Sequence, residues 1–127
     1  MSLKSPLGKV LGLGAAGGSH HWWLQRLSSI ALVPLTGWFA IALLTLPDLG
    51  WVGVHGWLSR PSSTVLLLLL VPTALHHSWL GLTVIVEDYV HAPLGKTLTL
   101  LVLQLLHLLV GAIALYAVLR IAFGSTP

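Results

Sequence analysis

Residues 64–91 read TVLLLLLVPTALHHSWLGLTVIVEDYVH. The run from Thr64 to Val86 carries no formal charge and exceeds the about 20 apolar residues that a helix needs to cross a bilayer. Two histidines lie within it, and Glu87-Asp88-Tyr89 closes it. His77 and Asp88 stand eleven residues apart. On an α-helix that separation is about three turns and roughly 16 Å of rise, so His77 and Asp88 lie on nearly the same face, one deep and one shallow. A deep neutral imidazole suits a metal or haem. A shallow carboxylate beside a phenol suits a polar headgroup that exchanges protons. The pattern reads as an electron-transfer site beside a quinone site.

Outward from this stretch, two more apolar runs follow the same plan. The expected architecture is an all-α membrane protein with three transmembrane helices, at about 22–46, 64–88 and 98–123, preceded by a flexible arm over 1–21. Composition agrees: of 127 residues, 56% are hydrophobic and only 7% charged, and the mean hydropathy is +0.93. Soluble domains carry about 25% charged residues, so a water-soluble fold is excluded. The runs are continuous and leucine-rich rather than alternating, which argues against membrane strands. Apart from Glu87 and Asp88 at the end of the second span, Arg26 and Arg120 are the formal charges inside the spans, both near ends where they can snorkel.

Lys4, Lys9, Arg26 and Lys96 outnumber Arg60 and Arg120 on the opposite side, so the N-terminus and second loop are expected to be cytoplasmic. The net charge of +3 has no basic cluster behind it and reads as this topology signal, with no nucleic-acid partner expected. Without cysteine, neither a disulfide nor a thiolate metal site is available. Neither a cleavable signal peptide nor an Arg- and Ser-rich transit segment is evident, which points to a bacterial cytoplasmic (inner) membrane. Short loops house no soluble catalytic domain, so any enzymatic role belongs to a larger assembly.

Between the helices the reading is coarser. Gly8, Gly12, Gly14, Gly17 and Gly18 mark the arm, and His20, His21, Trp22 and Trp23 form an interfacial cluster. Pro34 and Gly37 interrupt the first span. Residues 47–61, with Trp51, His55 and Trp57, are expected as a loop lying in the outer interface. Pro61-Ser62-Ser63-Thr64 is a good helix start. Pro93 and Gly95 break the chain between the second and third helices, and Gln104 and His107 share a face from which they can bond a neighbouring helix.

A titratable group in hydrocarbon costs about 3 kcal/mol or more, so each needs a reason. His76 and His77 point about 100° apart and cannot share a role. His76 is adequately explained by ordinary hydrogen bonding. For His77, a bond to a carbonyl on another helix and a cofactor contact both stand. Gly81, one turn on, favours the cofactor because it would leave a flat recess beside the ring. Glu87 is explained by helix termination.

His77-Ser78-Trp79-Leu80-Gly81, followed by Asp88-Tyr89-Val90-His91, resembles the small hydrophobic (D-type) anchor subunit of succinate dehydrogenase, respiratory complex II. His20, six residues before Arg26 at the start of the first helix, is similar to the family pattern too, and the likeness covers about residues 19–123. The resemblance implies that His77 is one axial ligand of haem b, the other coming from a C-type cytochrome b anchor subunit, itself three helices. It implies Tyr89 as hydrogen-bond donor to ubiquinone, with Asp88 supporting the site and its protonation. Arg26 and His20 would face the haem propionates, where a guanidinium's donor fork suits paired carboxylates. A flavoprotein subunit would oxidise succinate, an iron–sulfur subunit would relay electrons, and membrane lipid would surround the helices. Two relatives of this reading remain: a fumarate reductase-type anchor, and a self-contained bis-histidine cytochrome in which His77 and His107 lie at similar depths, about 16 and 13 Å from the cytoplasmic edge. A structural or transport protein with hydrogen-bonding histidines is the reading from another class.

Overall fold

The computed structural model describes residues 18–124, with side chains from Trp22 onward. Among them are four helices and no strand: α1 Gly18–Thr45, α2 Trp51–Leu58, α3 Pro61–Tyr89 and α4 Pro93–Phe123. Three of these, α1, α3 and α4, are long and apolar enough to cross a membrane, as the sequence predicts. Residues 18–21, expected in the arm, instead form the first turn of α1; residues 1–17 of the arm lie outside the described residues.

Prolines account for the other two corrections to the helix limits. Both α3 and α4 begin at a proline, several residues ahead of the expected starts at 64 and 98. At the first helical position a proline loses nothing, because that N–H has no partner within the helix, and its fixed φ is already helical. The ring holds the preceding residue extended, at φ −72°, ψ 132° for Arg60 and φ −69°, ψ 122° for Ala92. Pro34 and Pro72 lie within α1 and α3 without ending them.

The expected interfacial loop contains the eight-residue helix α2. Its start is held by Asp48, whose carboxylate accepts the N–H of Gly50 at 2.7 Å and of Gly53 at 3.1 Å. A carboxylate is favoured there by the positive end of the helix dipole. A Cβ at position 53 would collide with the Asp48 carbonyl, so the cap requires glycine at that point. With α2 in place, Trp57 is 7% exposed and stacks on Trp38, centroids 5.7 Å apart and planes 27° apart, with Phe39 at 6.1 Å. Trp57, Leu67 and Val118 form the buried core. Thr64 Oγ1 lies 3.0 Å from the Leu58 carbonyl and 3.1 Å from that of Arg60, tying the end of α2 to α3.

The long helices form an open layer with α3 in the middle. It packs against α1 on one flank and α4 on the other, and α2 bridges the ends of α3 and α4. Close approach of α3 to α4 passes through Gly111, where an added Cβ would stand 2.9 Å from Leu75 Cδ1. Small residues at such crossings let helix backbones approach in a medium that offers no hydrophobic drive between them.

Candidate functional site

His77 turns toward α1. Its Nδ1 lies 2.9 Å from the hydroxyl oxygen of Ser28, a residue buried between the two helices. Ser28 Oγ also lies 2.9 Å from the Gln25 carbonyl, one turn back on its own helix. The cross-helix bond that the sequence left open therefore exists, but to a hydroxyl rather than a carbonyl. It engages one ring nitrogen only, and among the described residues nothing bonds Nε2. An imidazole held at Nδ1 and open at Nε2 can serve as a single metal ligand, with the other nitrogen fixing its orientation.

Gly81 faces the same helix. A Cβ there would lie 3.8 Å from Gln25 Nε2, ordinary contact distance, so the expected recess beside His77 is roofed by the Gln25 side chain rather than bare. Ser28 and Gln25 are the residues that sequence reasoning missed. The only signal for them is polarity inside an apolar span, which does not say which helix they face.

Arg26 is not part of this contact. It stands two residues before Ser28, about 200° around the helix, and its guanidinium carbon lies 5.1 Å from the centre of the Trp22 ring. The pair is a cation–π contact at the exposed rim of α1. The side chain of His20 lies outside the described residues.

Further along, at the C-terminal end of α3, Asp88 is exposed and Tyr89 closes the helix with 79% of its surface open. The chain turns away through Val90, whose N–H donates to the Val86 carbonyl, and His91 Nδ1 lies 3.2 Å from the Tyr89 carbonyl. The phenol and carboxylate are thus free of each other's elements and able to meet a polar headgroup from outside the chain. They do not touch His77; the two sites share a helix and are separated along it.

His107 is engaged elsewhere. Its Nδ1 lies 2.7 Å from the Leu103 carbonyl, an acceptor, so Nδ1 carries the proton and Nε2 accepts from Ser78 Oγ at 3.2 Å. The Trp79 ring meets it edge-on, with centroids 5.9 Å apart. Both ring nitrogens are occupied, and the ring lies on the α3–α4 flank, opposite the side on which His77 meets α1. The described residues contain no group of three or more His, Asp or Glu side chains that could hold a metal ion. Among the described residues His77 and His107 lie on opposite flanks of α3 and are not brought together. His76, Gln104 and His107 line a separate cavity of about 450 Å³ with Pro72, Leu75 and Trp79.

The sequence has known relatives. The profile of the succinate dehydrogenase/fumarate reductase transmembrane subunit family matches residues 1–119. The succinate dehydrogenase hydrophobic membrane anchor subunit of Rickettsia bellii is 40% identical over 77 residues, 60% of this chain and 61% of the relative. That of Rickettsia conorii is 35% identical over 102 residues, 78% of this chain and 81% of the relative. This chain thus spans less than two thirds of the first relative's length and more of the second's. Three spanning helices and bacterial relatives make it a multi-pass protein of the bacterial inner membrane. Matched over nearly its whole length, the chain belongs to the succinate dehydrogenase/fumarate reductase transmembrane subunit family.

Proposed function

We propose that this chain is the D-type hydrophobic membrane anchor of a succinate:quinone oxidoreductase, contributing one axial ligand to haem b and part of the ubiquinone-reduction site. The observation that carries this reading is α3 itself: one helix holds an imidazole with Nε2 open and, eleven residues on, an exposed carboxylate and phenol at its end. Family membership supports it.

The haem, when bound between this chain and a C-type cytochrome b anchor subunit, supplies a one-electron acceptor beside the quinone pocket. His77 offers Nε2 to the iron, and Gln25 over Gly81 shapes the wall next to it. Arg26, exposed on α1, and His20 are the cationic groups for the propionates. Tyr89 donates its O–H to a quinone carbonyl, and Asp88 beside it relays protons to the oxygens as two electrons arrive. Those electrons come from a flavoprotein subunit that oxidises succinate, through an iron–sulfur subunit docked at the cytoplasmic end of α3. A fumarate reductase-type anchor uses the same groups in the opposite direction.

Haem content of the assembled complex tests the assignment. His77→Ala is expected to abolish the haem, whereas His107→Ala is expected to retain it, because His107 already spends both nitrogens within the chain. Loss with His107→Ala and retention with His77→Ala would reverse the assignment.

A further inference from the structure

We infer that Ser28 is a positioning residue for His77: its hydroxyl oxygen takes the Nδ1 proton and thereby holds the tautomer whose Nε2 lone pair is available to iron. The inference rests on the reading of His77 as an axial ligand.

A serine hydroxyl has one proton to give and two lone pairs with which to accept. Ser28 Oγ has two partners at hydrogen-bond distance, the Gln25 carbonyl at 2.9 Å and His77 Nδ1 at 2.9 Å. The carbonyl only accepts. With the serine proton directed to it, the second contact is made by an Nδ1–H donating to Oγ. The reverse arrangement, Ser28 donating to Nδ1, moves the ring proton to Nε2, where no described residue accepts it. Gln25 O also receives the Ser29 hydroxyl at 2.8 Å, so it is a crowded acceptor and the chain alone leaves the two arrangements in competition. Iron ends the competition. A metal at Nε2 excludes a proton there, Nδ1 must carry it, and Ser28 Oγ is the acceptor already in place.

Two consequences follow for the ligand. The ring is held by a bond across two helices, from a partner that is buried and so not replaceable by water. The same bond draws the Nδ1 proton outward and makes Nε2 a stronger donor, which favours ferric over ferrous iron.

The experiment uses the assembled membrane complex and reads haem content, the EPR g values of the oxidised haem and its reduction potential. Ser28→Ala is expected to weaken haem retention on the order of tenfold, raise the potential and move the g values. Ser28→Thr, which keeps a hydroxyl, is expected to restore them. Ser29→Ala removes the other hydroxyl on the same carbonyl, makes no contact with His77, and is expected to change neither potential nor g values. If Ser28→Ala fails to assemble, Ser28→Cys, a weaker acceptor, is expected to give a smaller shift in the same direction. Unaltered potential and g values in the Ser28 variants, with haem lost in His77→Ala, overturn this inference while leaving the ligand intact. Full haem in His77→Ala overturns the ligand assignment itself.

Discussion

At one end of the layer Trp57 lies stacked on Trp38 beneath a short capped helix; at the other, Tyr89 closes α3 almost wholly exposed, and Leu94 just beyond it is 72% exposed. The first end is completed by the chain's own residues: an Asp48 cap, three aromatic rings, and a Thr64 hydroxyl bonded back to the preceding turn. The second offers a carboxylate, a phenol and the Arg26–Trp22 pair to whatever lies beyond. Among the described residues, then, the first rim is closed around Trp57, and the second gathers the chemistry-bearing groups.

The comparison breaks if changes at the two ends have interchangeable effects. The largest expected effect is at the closed end. Trp57→Ala removes the buried ring from the aromatic stack and is expected to cost about 3 kcal/mol, read as a lower thermal midpoint of the detergent-solubilised complex. The ratio of quinone-linked to dye-linked succinate oxidation should be unchanged. At the open end, Tyr89→Phe is expected to lower quinone reduction about tenfold through loss of one hydrogen bond, with the thermal midpoint and dye-linked succinate oxidation held. Equal loss of both activities would mean misassembly and would remove the distinction. The smallest effect sharpens it: Asp48→Ala deletes the carboxylate at the start of α2 and should cost about 1 kcal/mol in the same thermal assay, with no change in quinone turnover.

What the sequence disclosed follows the same divide. Leucine runs without charge report three spanning helices because a bilayer's thickness sets a length that composition can match. The short helix α2 escaped because Gly53 and Gly56 lower helix propensity, while its two stabilising features, the Asp48 cap and the burial of Trp57, are tertiary. The earlier starts of α3 and α4 were readable in principle, since Pro61 and Pro93 are favoured first residues of a helix. For the site, the spacing of His77, Asp88 and Tyr89 on one helix is local and legible. Ser28 is not, because it reaches His77 across 49 residues, and the relative rotation of α1 and α3 that joins them is set by packing that no spacing encodes. The same limit hid Gln25 over Gly81 and the contact between Ser78 and His107.

Because α1 and α4 pack on opposite flanks of α3, the order of synthesis matters. The first helix to leave the ribosome has no long partner until α3 emerges, and once Tyr89 is made, both halves of the Ser28–His77 bond are present. The last helix then docks on the far flank of α3, adding Gly111 against Leu75 without disturbing the flank already joined. Biogenesis therefore brings His77 together with its Ser28 partner before the final quarter of the polypeptide exists.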